Sequence, residues 1–491
     1  MKTIVKILVF LILSMAFTGC AEDKKDITYV SVVFDVEDYI TPASEGIDDI
    51  PKWLAEIMSD VGVTGTFFVI GEKARSLESR GRQDVIAAMA KHDIGSHTNM
   101  GSIHPTVTEI LENADWDTGV QHMLYNESKG FDELEQIFGV PVSTLARHGG
   151  SYGPQLVYAL GQLGKGYVYS PIHLPGHNAV WFCNTLNFHG DYGFFDNTYY
   201  KDELFNPVFD SVQQSFQKEI QGLDVVAFFA CHPCKVRTEQ FWDFNYYEGA
   251  NPPLSECKAP DLRPLESMET AKKNFRRLME YLKSLDNISI TTFNDLMNRF
   301  SYQEDYISRN DLQHYAESIL KGKSIIIDSD FSPAEMFAAL VGSLTEYAKT
   351  ENIPDESERG SPLGPMEMPD SIPGIFEVSN IQVFILVGEA YNWIRDRGYL
   401  PAYVSVDENR VGTGSLLALF SELYLDILSG NPKESYTIIP FDPFPRENEK
   451  AIISEIESFK YWPVHQPDLD MSNLVYLTRL QLWTLKPARE K

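Results

Sequence analysis

Three acids close an apolar run in VVFDVEDY: Asp35, Glu37 and Asp38. Carboxylates gathered where a buried strand ends are costly unless a cation or an arginine neutralises them. Farther along, GSHTNMGSIHPT sets His97 and His104 on either side of a Gly/Ser loop. Two neutral imidazoles and one carboxylate make a three-ligand, open site that suits a zinc-type Lewis acid. In ARHGGSYGPQ, Arg147 stands beside glycines, where a guanidinium can orient a carboxylate through two hydrogen bonds. His232 follows the apolar run DVVAFFAC and has the intrinsic pKa of a general acid. Taken singly, each has a plainer reading: a solvated loop, a surface arginine or a satisfied core histidine.

The elements that would position these residues alternate. ITYVSVVF, VTGTFFVIG, DIGSH, VSTLARHGG, YVYSP and the run before His232 have strand character. Between them, IPKWLAEIMSDVG, QDVIAAMAKH, QHMLYNESKGFDELEQIFG and PQLVYALGQLG have helical spacing. Strands alternating with helices of this length imply parallel βαβ units over residues 27–300. The polar residues cluster where strands end, as sites do in parallel α/β folds and barrels.

The chain has 491 residues, 43% of them hydrophobic, enough for ordinary cores and against wholesale disorder. Its net charge of −29 argues against nucleic-acid binding through a broad basic surface. Residues 1–19 read as an export signal: Lys2 and Lys6, a short apolar run, then Thr18 and Gly19. Cys20 after Gly19 resembles a bacterial lipobox, with Phe17 as a departure, and 20–26 form a polar tether. That resemblance implies lipid attachment at Cys20 and a bacterial cell-envelope location, at the outer membrane or cell surface. Cys183, Cys231, Cys234 and Cys257 remain in the mature chain. Outside the cytoplasm they could pair, and CHPC lacks the second half of a zinc knuckle, so a disulfide or buried thiols are expected.

Five phrases in order give residues 27–300 a resemblance to the polysaccharide deacetylase (NodB-homology, carbohydrate esterase family four) family. They are VVFDVEDY, VTGTFFVIGEKA, DIGSHTNMGSIHP, LARHGGSYGPQLVYALGQLGKGYVYS and VVAFFACHP. The resemblance implies an α/β fold, a distorted (β/α)7 barrel, and metal-dependent hydrolysis of N-acetyl groups on a polysaccharide. It implies a divalent metal, most simply zinc. Asp35 takes the general-base position and His232 that of the acid, with Arg147 orienting Asp35. Metal ligands would be His97, His104 and either Glu37 or Asp38. Departures are clear: six residues separate the histidines rather than three, and His148 and Gly149 stand where prolines are common. The fourth motif's acid is Asp191 or Asp196. Two other readings stay open, a non-catalytic glycan-binding lipoprotein and a hydrolase of another non-peptide C–N bond. Aromatic and histidine-rich stretches around His173, His177, Trp181, Phe182 and His189, and FWDFNYYEGANPP, could line a sugar groove by stacking.

Residues 301–491 read as an α-rich accessory domain, with a duplication suggested by MFAALVGSLTEY and LLALFSELYLDI. A strand is expected in GKSIIIDSD, a capped helix from Ser332-Pro333, and a long loop over 351–374. RGYLPAYVSVDENRVGTGSLLALFSELY is similar to cell-wall-binding repeats of the pseudomurein-binding type.

Overall fold

The computed structural model describes residues 27–190, 192–218, 220, 222–328, 330–369 and 375–491. The expected signal segment, the tether, Cys20 and Asp191 lie outside the described residues. Among the described residues, no helix is long and apolar enough to cross a membrane.

The fold is mixed α/β, built on one large sheet. Its strands are β1 (Thr28–Val36), β2 (Gly65–Val69), β3 (Asp93–Ser96), β4 (Thr144–Ala146), β5 (Gly166–Ser170), β6 (Ala179–Phe182), β7 (Thr185–His189), β8 (Val225–Cys231) and β9 (Ile288–Ile290). The spatial order is β6-β7-β5-β4-β3-β2-β1-β8, with β9 beside the first half of β1. All these pairings are parallel except β6 with β7. Nearly every residue of β1, β2 and β8 is buried. Such continuous apolar runs are the mark of parallel strands covered on both faces. The sheet curls until the chain after β7 meets β8. There Tyr192 N–H donates to Ala227 O at 2.8 Å, and Phe229 N–H to Tyr192 O at 2.6 Å.

Helices return the chain between strands. Asp49–Val61 buries Ile50, Leu54, Ile57, Met58 and Val61, an apolar stripe at three- and four-residue spacing, and stops at Gly62 in the left-handed region. Trp116–Phe138 and Pro154–Gln162 play the same part before β4 and β5.

The remaining region holds the helices Pro333–Thr350, Asn380–Arg397 and Thr413–Leu428. Ser332 and Glu335 form the expected capping box. GKSIIIDSD forms no strand over its described residues. Ile325 is buried without a strand edge, and Tyr315 Oη–H donates to Ile326 O. A short apolar run satisfies its backbone wherever partners exist, so composition cannot distinguish the two outcomes. Over its described residues, the loop 351–374 includes one short strand, Glu356–Glu358, paired with Tyr306–Ser308. The four described cysteines are free thiols, with Cys183, Cys231 and Cys234 buried.

The chain's end returns to the large sheet. Lys486–Pro487 pairs antiparallel with β6, and Lys486 Nζ lies 2.9 Å from both Glu335 carboxylate oxygens.

Candidate metal centre

Alternation along β1 sorts its acids. Asp35 and Glu37 are two residues apart and point to one side; Asp38 faces the other way. The Asp38 carboxylate is used locally, accepting from Ile40 N–H (3.0 Å), Thr41 N–H (2.9 Å) and Thr41 Oγ1–H (2.6 Å). It does not join the cluster that Glu37 joins.

His97 follows β3 directly. Its Nδ1 lies 3.1 Å from Ala146 O, and its Nε2 lies 2.9 Å from Glu37 Oε1 and 3.6 Å from Asp35 Oδ2. His148, just past β4, brings Nε2 to 3.4 Å from the same Glu37 oxygen. The two rings meet edge to face, centroids 4.8 Å apart. Glu37, His97 and His148 are all buried, with one candidate ligand atom of each within 4.8 Å of the others. His232, beyond β8, completes the pocket with Nε2 at 3.8 Å from Asp35 and 3.9 Å from Glu37. Its Nδ1 is 2.7 Å from Asp196 Oδ2, and its backbone N–H donates to Asp196 Oδ1. Trp242 Nε1–H donates to Glu37 Oε2 at 2.8 Å, and Tyr169 Oη–H to Asp35 Oδ1 at 3.3 Å.

Burial sets the electrostatics. It raises the Asp35 carboxyl to about 6, against the pull of His97 and His232. It pushes His97 down to about 4 and His148 to about 3. Burial also works against charge on His232, but Asp196, Glu37 and Asp35 outweigh it and raise the ring to about 10. His97 is therefore neutral near pH 7. A carbonyl can only accept, so its single proton sits on Nδ1 toward Ala146 O. Its Nε2 lone pair then faces a carboxylate oxygen at 2.9 Å. Such a contact is repulsive unless a cation lies between, so the donor set fits a divalent ion of the zinc type.

Two residues expected in the site stand elsewhere. Both ring nitrogens of His104 are engaged, Nδ1 at 2.7 Å from Glu109 Oε2 and Nε2 at 3.0 Å from Tyr246 O. The loop after His97 carries His104 away, and His148 supplies the second imidazole. Arg147 and His148 are neighbours at a strand end and point in opposite directions. Arg147 Nε–H donates to Tyr169 O at 2.9 Å, Nη1 bonds Gly149 O, and the guanidinium lies 4.1 Å from the Phe459 ring centroid. Its partners are these rather than Asp35.

Sequence reasoning passed over His148 and Trp242 as site residues. The signal for His148 was its place two residues beyond the strand's Ala146, in phase with it. Trp242 belongs to FWDFNYYEG, expected to line a groove, yet it is fully buried against Glu37. Phe182 is likewise core. Of the two acids offered for the fourth motif, Asp191 lies outside the described residues and Asp196 pairs with His232.

The far end of the chain walls the site. Trp462 meets His148 edge to face, centroids 5.1 Å apart. A Cβ on Gly149, which has φ of +50°, would strike the Trp462 ring, and one on Gly150 would come within 2.6 Å of His465 Cε1.

No family model and no curated protein matches the chain. Solved structures with a similar course include a peptidoglycan N-acetylglucosamine deacetylase (13% identity; 55% of this chain, 88% of that one; TM-score 0.31). Others are a CE4 family pseudoenzyme from Bacillus anthracis (11%; 56% and 66%; 0.31) and Puue allantoinase (13%; 56% and 91%; 0.35).

Proposed function

We propose that the chain is a metal-dependent hydrolase that removes N-acetyl groups from a polysaccharide. The observation that carries the reading is the buried meeting of Glu37, His97 and His148, with Asp35 and His232 beside it. A divalent ion, most simply zinc, held by those three would supply Lewis acidity toward the amide carbonyl and a water. Asp35 accepts the proton from the attacking water as its oxygen bonds to the acetyl carbon. His232, kept cationic by Asp196, gives a proton to the nitrogen as the C–N bond breaks, leaving acetate and a free amine. Tyr169 and Trp242 hold the two carboxylates in place. Lipid anchorage through Cys20 in a bacterial envelope belongs to the same proposal and would bring the site to surface glycans.

The test is metal content and acetate release by the full-length chain. Wild type should bind metal and release acetate from N-acetylated glycans. His148→Ala should carry one ion fewer per chain than wild type, whereas His104→Ala should match wild type. Asp35→Asn should keep metal and lose turnover by roughly two to four orders of magnitude, the usual range for removing a general base. An unchanged number of ions per chain in His148→Ala would overturn the ligand set. Glycan binding without acetate release would leave a non-catalytic binding protein.

A further inference from the structure

A second group of metal-ligating side chains lies at the sheet's rim and shares no residue with the first. His189 ends β7, His173 follows β5 by three residues, and Glu455 lies on the helix Glu449–Ser458. All three are half-buried, and one candidate ligand atom of each lies within 4.8 Å of the other two. The imidazole rings stack, centroids 3.9 Å apart and planes 18° apart.

Hydrogen bonding gives each ring a defined tautomer. His189 Nδ1 is 2.7 Å from Ser170 O, and His173 Nδ1 is 3.2 Å from Pro171 O. Carbonyls only accept, so each neutral ring carries its proton on Nδ1 and its lone pair on Nε2. That backbone-tethered Nδ1 is the usual outer support of a metal-ligating histidine. Two Nε2 atoms and a carboxylate form a His₂Glu set, the donor type of zinc sites with an open position. Tetrahedral ligation at about 2.05 Å needs nitrogens roughly 3.3 Å apart, so closing the set takes a shift of an ångström or so together with a tilt of the stacked rings that makes their in-plane lone pairs converge.

We infer that His173, His189 and Glu455 form a second zinc-binding site that joins the helix Glu449–Ser458 to the sheet. The same helix already touches this rim, since Asn448 at its N-terminus donates from Nδ2 to His173 O at 2.9 Å. Four residues past Glu455, Phe459 stacks on Arg147, and Trp462 contacts His148. An ion here would therefore hold the segment that walls the first site.

The experiment uses the full-length chain in detergent, stripped with EDTA, loaded with zinc sulfate and desalted, with zinc counted per chain. Wild type should carry one ion more than His97→Ala, and one more than either His189→Ala or the near-isosteric Glu455→Gln. Zinc affinity at this site should fall at least about tenfold in Glu455→Gln. In the His97→Ala background, zinc should raise the melting temperature, and Glu455→Gln should remove that rise. Unchanged zinc content in both His189→Ala and Glu455→Gln would overturn the inference. Loss of zinc in those variants but not in His97→Ala would uphold this site and sink the ligand set proposed for the first.

Discussion

Glu37 is the residue at which the first site converges. One carboxylate oxygen faces His97 and His148, and the other accepts from Trp242 Nε1–H. Trp242→Phe keeps the ring's bulk and deletes the donor. It is expected to weaken metal binding about 10- to 100-fold, as loss of a ligand's supporting hydrogen bond does, and competition against a chelator measures this. Asp196 does the corresponding work for His232. Asp196→Asn removes the nearest charge that keeps the ring protonated. Acetate release should fall at least tenfold with metal content unchanged, since the leaving amine loses a cationic donor. At this scale the sequence was partly legible. Asp35, Glu37, His97 and His232 stood out because ionisable residues rarely end buried strands without cause. Alternation should have separated Glu37 from Asp38 and Arg147 from His148, but a strand's last residue is hard to place from sequence, and one step inverts every side chain.

The element that absorbed His104 is the short helix Val107–Leu111. Its capping box joins Thr106 to Glu109, and Glu109 also faces His104 and accepts from Gln466 N–H. Burial opposes charge on Glu109, but those hydrogen bonds prevail and lower its carboxyl to about 2. For His104, burial again opposes charge, and the Glu109 contact raises the ring overall. The signs follow. Glu109's contribution is present above its unfolded value of 4.5 and is lost as pH falls toward about 2. His104's is present below its unfolded value of 6.5 and is lost as pH rises through its raised folded value. Glu109→Gln should therefore cost most between those two unfolded values, about 2 kcal/mol for a charge-assisted, partly buried pair. Melting temperatures of wild type and variant across pH 2 to 9 read the difference directly. A spacing rule for two histidines could not show this, because Glu109's role as the partner of His104 depends on the loop's path.

Over the whole molecule, the end of the chain ties the α-rich region to the sheet. Lys486 and Glu335 form an ion pair that is almost fully buried, with Arg359 Nη1 at 2.5 Å from the same carboxylate. Removing one partner of a buried pair leaves an uncompensated charge. Glu335→Gln, which leaves Lys486 and Arg359 without their shared carboxylate, should destabilise the protein by about 3 kcal/mol, measured by urea unfolding. Trp462, Phe459 and Lys486–Pro487 all contact the sheet or its site. Wild type is accordingly expected to unfold with metal release and loss of tertiary signal in one transition.

By itself, the sequence determined the α/β alternation, most strand and helix positions, and Asp35, His97 and His232 at the strand ends, with Glu37 and Asp38 left undivided. Those features are local: apolar period, capping residues, and chemistry placed where buried strands stop. The choice of His148 over His104, the supports Trp242 and Tyr169, and the wall built from residues near 460 were decided by tertiary structure. They depend on which loops and distant segments come together as the sheet curls, and no local spacing encodes that distance.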